Sequence, residues 1–414
     1  MKDYVIRQYI DKTIVINIKE AEEIYEFSDV SKIIIDNINN KNLTLKLLKN
    51  KYKNISKDII ENDYNNFINQ LNDLKITPNN IEKKIISNNI YSIKNATIEI
   101  INTCPFKCDH CFVSNKKEIL NLENFQNLIN QLIKLDYNEI LITGGEPFLH
   151  NSFVDIYLSA KKNGFLVTIN TNGYLLNEML LNLFIEYKPR NIELSIYGYD
   201  NKSYYNFTHT KRAFNIINNN IDKLIDYSIN LNLKTVLTKK NKNYLYKLKS
   251  YAKEKNLPFR YDYIIFPNQD NICQNMQRCT PDEIIKVLKE DNDSTTFFKE
   301  KIKNINIKNT IDNHVFQCSI NSGRIYISSN LDIRPCLVVP FKYNLKEISI
   351  EDACNKFEKI PEKYIYRSDN KCMNCNKKSL CRYCPGKFYM ETGSLTNVPN
   401  FYCELADKLI KEFK

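Results

Sequence analysis

Three cysteines, Cys104, Cys108 and Cys111, stand in the stretch TCPFKCDHCFVSN with C-x3-C-x2-C spacing, just after a strand-like run, ATIEIIN. Thiolates gathered on a tight loop can converge on one soft metal centre. A structural zinc site is normally closed by four protein ligands. Three thiolates on a [4Fe–4S] cluster would instead leave one iron free, and the missing fourth ligand would mark where a substrate or cofactor binds. On spacing alone, a zinc site borrowing a distant fourth ligand is the alternative.

One β-α unit later, the run NEILIT leads into Gly144, Gly145, Glu146 and Pro147. Two glycines at a strand end let backbone groups approach a ligand closely. The triad followed by GGE resembles the radical S-adenosylmethionine superfamily. The resemblance implies that Cys104, Cys108 and Cys111 hold a [4Fe–4S] cluster whose free iron takes the amino and carboxylate groups of S-adenosylmethionine. It implies that Gly144, Gly145, Glu146 and Pro147 line the methionine part of that cofactor. Reductive cleavage to a 5′-deoxyadenosyl radical would follow, and the radical would abstract hydrogen from substrate; the cofactor carries the hard chemistry and the protein positions it. His110 stands where many members have another aromatic residue. Phe112, together with Asn170 and Asn172 of TNTNG and Ser195 of ELSIYG, completes the expected cofactor contacts. Read alone, Asn172 and Ser195 suit loop or cap chemistry equally well. No general base is assignable.

A second array lies near the C-terminus, with the dense block CMNCNKKSLCRYC. Four cysteines in that spacing could hold one zinc. The array resembles the SPASM extension of radical enzymes, which binds two auxiliary [4Fe–4S] clusters. The resemblance implies a distal cluster on Cys372, Cys375, Cys381 and Cys403. It implies a proximal cluster on Cys318, Cys336 and a crossing-over Cys384. Three departures stand out: x2 rather than x3 closes the dense block, Leu331 replaces the usual glycine, and Asp312 lies about where a fourth proximal ligand is expected. Cys273, Cys279 or Cys354 could substitute; otherwise the proximal cluster keeps an open iron able to take a substrate thiolate.

The elements that must position these residues alternate in type. From 97 to 265, six strand runs (TIEIIN, NEILIT, LVTIN, NIELSIY, LKTVLT, FRYDYII) are separated by amphipathic helical runs. Such a series predicts an α/β fold, a partial (β/α)6 TIM-like barrel with its site at the carboxyl ends of the strands. Residues 1–80 read as two strands followed by helices, a winged-helix-like module. It looks like the PqqD-like element that recognises leader peptides, where the leader adds a strand to the sheet edge. Residues 81–96 read as a linker, 266–310 as a bridging loop and helix, and 311–414 as the SPASM/twitch-like region.

Composition sets the outer bounds. The chain has 414 residues, 43% hydrophobic and 26% charged, enough for two or three domains. No apolar run is long enough to span a membrane, and MKDYVIRQYIDK lacks a signal-peptide core, so a cytoplasmic protein is expected. Thirteen cysteines, an odd number, suit metal or catalytic work better than a disulfide framework there. The net charge of +11 is spread among Asn and Ile without a basic block, so nucleic acid is not an expected partner. The resulting expectation is a maturase of a ribosomally made precursor peptide carrying a leader, served by an electron donor such as flavodoxin or ferredoxin. The expected product is a Cys sulfur-to-carbon thioether, as in sactipeptide or ranthipeptide synthases. Carbon–carbon crosslinking or epimerisation of a peptide, sulfatase-maturase-like oxidation of a protein residue, and RNA modification are the alternatives.

Overall fold

The computed structural model describes residues 3–28, 30–113, 117–267, 277–305, 313–318, 320, 322–368 and 370–414. At the N-terminus, β1 (Tyr4–Gln8) and β2 (Lys12–Asn17) pair antiparallel, β3 (Ile24–Ser28) adds to β2, and β4 (Ile81–Ile86) runs parallel to β1. The sheet order is β3-β2-β1-β4. Helices Val30–Asp36, Lys41–Lys51 and Lys57–Asp73 complete the module. Ile35 and Leu71 from two of them pack with Tyr4, Ile6 and Val15 of the sheet. Asn40 and Ser56 cap the second and third helices by accepting from the N–H groups of Leu43 and Ile59, each cap being worth about 1 kcal/mol.

Two expectations change here. The run IYEFS, expected within a helix, is β3: Tyr25 and Phe27 pack on the core while Glu26 and Ser28 are exposed, a period of two. The stretch 81–96, expected to be a linker, begins with β4. Half-buried Ile81, Lys83 and Ile85 alternate there with exposed Glu82, Lys84 and Ile86. Two lysines in the run hid that alternation from a reading by hydrophobicity.

The module is bolted to the rest of the chain. Arg7 is fully buried and donates to the carbonyls of Tyr137 (2.6 Å) and Asn163 (3.2 Å), with its guanidinium 4.8 Å from the Phe165 ring centroid. Gly164 adopts φ +72°, and a Cβ there would meet the Val5 side chain at 2.7 Å. Glu20 and Glu22 pair with Lys188 (2.9 Å) and Arg190 (2.8 Å). All these partners immediately precede strands of the second sheet. The module therefore sits at the amino ends of those strands, away from the cysteine loop.

That second sheet carries β5 (Asn95–Ile101), β6 (Glu139–Gly144), β7 (Leu166–Thr171), β8 (Asn191–Ser195), β9 (Leu231–Val236) and β10 (Phe259–Asp262), all parallel and neighbours in chain order. Helices between successive strands cover one face. In Leu122–Lys134, buried Phe125, Leu128, Ile129 and Leu132 form one stripe. They meet strand residues such as Ile98, Ile140 and Ile169 in one core. This is the expected partial-barrel order.

The other edge of β5 is not free. β11 (Ile325–Ile327) pairs with it in parallel, and β12 (Asp332–Arg334) and β13 (Tyr343–Asn344) follow antiparallel. The result is one nine-stranded sheet ending in β10 on one side and β13 on the other. The C-terminal region is thus continuous with the barrel sheet. The bridging region holds two helices, Pro281–Lys289 and Asn292–Lys303, which pack with the last helix, Asn400–Phe413; Phe298 meets Phe413 at 5.6 Å. Among the described residues, no helix is long and apolar enough to cross a membrane.

Candidate active site

The loop carrying Cys104, Cys108 and Cys111 leaves the carboxyl end of β5 and is held by its neighbours. Gly145 N donates to Ile101 O (2.8 Å) and Glu146 N to Thr103 O (3.0 Å). A Cβ on Gly144 would lie 2.1 Å from Ile101 O, and one on Gly145 2.5 Å from Thr103 O. Only glycine lets the β6 end press this closely on the cysteine loop. The paired glycines therefore serve the loop's own backbone as well as any ligand.

Glu146 is completely buried. Its Oε1 accepts from Thr171 Oγ1 (2.7 Å) and Phe148 N (3.1 Å), and its Oε2 from Asn172 N (2.8 Å). Burial pushes its carboxyl up to about 7, against the pull of those three donors. The carboxylate ties the β6 end to the β7 end, and Pro147 opens the short turn that follows. Asn172 continues the chain of contacts: its Nδ2 lies 3.5 Å from Cys104 Sγ, and its Oδ1 accepts from Tyr174 N (2.9 Å).

Asn170 meets β9. Its Oδ1 accepts from Lys234 Nζ (2.7 Å), a lysine on β9 that burial lowers to about 8. Ser195, at the end of β8, has its carbonyl bonded by Tyr204 Oη (3.3 Å). Phe112 meets Phe266 edge-on at 5.4 Å. His110 is half-buried between Tyr197 (5.0 Å) and Phe207 (4.8 Å); burial of its ring lowers it to about 4, so it stays neutral as part of an aromatic wall.

A clamp on the outer side of the loop had no signal in the sequence. Asp109 takes His209 Nε2 (3.1 Å) and Lys240 Nζ, and Lys240 also donates to Asn206 O (2.7 Å). Burial opposes ionisation of Asp109, but the hydrogen bonds from Lys240 and His209 hold its carboxyl below the usual range. Lys107 N adds a bond to Thr208 O (3.1 Å). Lys234 was findable in principle, as a lone cation alternating with apolar residues in LNLKTV.

The three thiols suit an iron–sulfur cluster by chemistry and placement. Burial raises all three, Cys104 to about 12. Cys104 and Cys108 each feel Cys111, and a cationic centre would relieve that repulsion. Phe106 N already donates to Cys104 Sγ (3.4 Å), the kind of bond that tunes a cluster ligand. Among the described residues, no three His, Cys, Asp or Glu groups close to the geometry of a single bound ion. Cluster ligands sit on separate irons and stand farther apart.

The C-terminal cysteines divide into two sets. Cys318, Cys336 and Cys384 lie within electrostatic reach of one another. Cys372, Cys375, Cys381 and Cys403 form the other set. Cys384 stands at the N-cap of helix Pro385–Thr392, whose dipole favours a thiolate. Leu331 adopts φ +70°, so the position where the resemblance expects glycine does need a left-handed backbone, at a cost of about 1–2 kcal/mol for leucine. Two of the candidate fourth ligands lie within the described residues. Cys354 lies 3.7 Å from Tyr137 Oη at the amino ends of the strands, and Cys279 is buried near Glu283 and Lys242. Cys273 and Asp312 lie outside the described residues.

The radical SAM superfamily model matches residues 98–251. A Methanocaldococcus jannaschii protein named for glycyl-radical enzyme activation is 31% identical over 196 residues, 44% of this chain and 71% of that protein. The Bacillus subtilis protein AlbA of antilisterial bacteriocin subtilosin biosynthesis is 24% identical over 310 residues, 70% of this chain and 66% of its own length. In fold, Streptococcus suis SuiB bound to precursor peptide SuiA aligns over 98% of this chain and 99% of its own, with TM-score 0.59 and 16% identity. Native anSMEcpe with bound AdoMet aligns over 77% and 96%, with TM-score 0.58 and 16% identity. With its cysteine loop at the head of a parallel barrel and this level of matched sequence, the chain belongs to the radical SAM superfamily, whose chemistry uses S-adenosylmethionine and a [4Fe–4S] cluster.

Proposed function

We propose that this enzyme matures a ribosomally made precursor peptide, joining a cysteine sulfur to a carbon of the same peptide. The observation that supports the reading is that, among the described residues, the C-terminal cysteines group as a set of three and a set of four. Four thiols close an iron–sulfur cluster; three leave one position for a substrate sulfur. SuiB, bound to its precursor peptide, shares the fold across nearly the whole chain, and AlbA acts in the biosynthesis of a bacteriocin.

In this reading, Cys104, Cys108 and Cys111 hold the radical-generating cluster. Gly144 to Pro147, Phe112, Asn170, Asn172 and Ser195 line the space for S-adenosylmethionine. With S-adenosylmethionine, that cluster supplies a 5′-deoxyadenosyl radical that takes hydrogen from carbon. Glu146 holds the β6 and β7 ends in fixed relation, and the His110–Tyr197–Phe207 wall excludes water from one side of the loop. Cys372, Cys375, Cys381 and Cys403 hold the distal auxiliary cluster, and Cys318, Cys336 and Cys384 the proximal one. The N-terminal module takes the leader at the outer edge of β3, since β4 covers the edge of β1. A leader held there raises the local concentration of the core peptide. An electron donor such as flavodoxin or ferredoxin completes the cycle, and the cytoplasm supplies both it and the peptide.

The test is anaerobic co-expression with the small peptides encoded beside this gene, followed by intact mass and fragmentation. Loss of two hydrogens per crosslink with one cysteine blocked to alkylation is the expected result. The same loss with every thiol still alkylated would replace the thioether by a carbon–carbon bond. No mass change, also in deuterated solvent, would overturn the peptide reading.

A further inference from the structure

Lys387 takes no part in the roles above, yet it occupies a telling place. It sits in the first turn of helix Pro385–Thr392, three residues after Cys384, with its side chain only 13% exposed. Its ammonium lies 4.9 Å from the Phe266 ring centroid. Phe266 meets Phe112, the residue after Cys111. The charge of Lys387 also acts on Cys336. One ammonium on an aromatic floor thus bridges the first cysteine loop and the three-cysteine set.

Among the described residues, the carboxylate that faces Lys387 is shared with another cation. Asp262, at the carboxyl end of β10, lies 4.0 Å away, beyond hydrogen-bond length, and faces Arg382 Nη2 at 3.8 Å. Asp262 also accepts from Ile264 N (3.1 Å). Arg382 is further engaged over the Tyr263 ring at 5.0 Å. Among the described residues, Asp262 is shared between Arg382 and Lys387, and Lys387 stands slightly farther from it. A largely desolvated ammonium gains most from an acceptor that bears charge.

We propose that Lys387 is the charge partner of a substrate cysteine thiolate bound at the Cys318–Cys336–Cys384 set. This inference rests on the peptide-maturase reading above. Each added thiolate brings negative charge beside three others, and a nearby cation offsets that repulsion. Lys387 supplies the cation from the side facing the cofactor loop, which places the sulfur between Phe112–Phe266 and Cys336. The event is ligand binding: the thiol S–H bond breaks, its proton passes to buffer, the sulfur joins the open iron, and no electron moves. Lys387 acts through charge on the bound sulfur and is a positioning residue.

The experiment uses the full chain, reconstituted with iron and sulfide under anaerobic conditions. N-acetylcysteine amide is titrated into wild type, Lys387→Met, Lys387→Gln and Lys387→Arg, with the S-methyl form as control, and the reduced clusters are followed by electron paramagnetic resonance. The wild-type spectrum should change with the thiol and not with its S-methyl form. Half-saturation should need at least tenfold more thiol in Lys387→Met and Lys387→Gln at unchanged iron content, and Lys387→Arg should restore most of the loss. Equal half-saturation in wild type and both neutral variants would overturn the role of Lys387 alone, as would a neutral variant that loses iron while Lys387→Arg shows no recovery of thiol binding. An equal response to sodium acetate would assign the charge to a carboxylate instead. Wild-type iron sufficient for a single cluster would overturn the maturase reading itself.

Discussion

Cys104, Cys108 and Cys111 lie on one short loop, whereas Cys318, Cys336 and Cys384 come from three distant points of the chain. The first set is braced by the ends of β6 and β7 through Gly145, Glu146 and Asn172, and on its outer side by Asp109, His209 and Lys240. The second is held by turns around β12 and by the N-cap of a short helix. A loop clamped on both sides suits a centre that must present one iron in a fixed direction. The second set is assembled from separate segments, none of which, among the described residues, is braced in that way. The difference is the one expected under the proposed function if the first set generates the radical and the second meets substrate.

The sharpest way to break this division is to remove a thiol from each set. Alanine at Cys104, Cys108 or Cys111 should abolish 5′-deoxyadenosine formation, a loss of at least about a thousandfold (about 4 kcal/mol in barrier), measured by liquid chromatography of quenched reactions. Surviving cleavage would overturn the assignment of the first set. Alanine at Cys372, Cys375, Cys381 or Cys403 should stop peptide crosslinking, lower iron content, and leave some uncoupled cleavage. Iron equal to wild type in these variants would remove the distal cluster.

A smaller effect concerns the brace. Glu146 has a folded pKa of about 7 against an ordinary value of 4.5. The folded state therefore binds the extra proton between those values, and stability falls as pH rises from about 4.5 to about 7, then levels. The amplitude is about 2–3 kcal/mol. Glu146→Gln should flatten that slope in thermal melts taken across this window, and a slope retained in the variant would place the titrating group elsewhere. The smallest effect belongs to the outer clamp. Asp109 pairs with partly exposed cations, so Asp109→Asn should cost about 1 kcal/mol or less. Its readout is a modest acceleration of iron loss to a chelator, by about two- to fivefold, with peptide specificity unchanged.

Legibility followed the range of the interactions. The six strand–helix units were readable because each strand is a short apolar run and each helix carries a stripe such as Phe125, Leu128, Ile129 and Leu132. The first cysteine loop was readable because all its ligands share one segment. β3 and β4 were missed: their alternation is carried partly by Tyr25, Lys83 and Lys84, which a hydrophobicity pattern undercounts. The N-terminal module's attachment was invisible, because Arg7 looks like a surface residue until the carbonyls of Tyr137 and Asn163 turn towards it.

The sequence by itself determined the C-x3-C-x2-C loop, the GG turn that must approach it, the order of the barrel and the presence of a second thiol-rich region. Those follow from local spacing and period. Tertiary structure alone decided that β11 extends the barrel sheet from β5, that Cys354 meets Tyr137, and that Lys387 meets Phe266 beside the first cysteine loop. These depend on which distant segments meet, and pairing across such distances is set by the burial of a whole core rather than by any one stretch of chain.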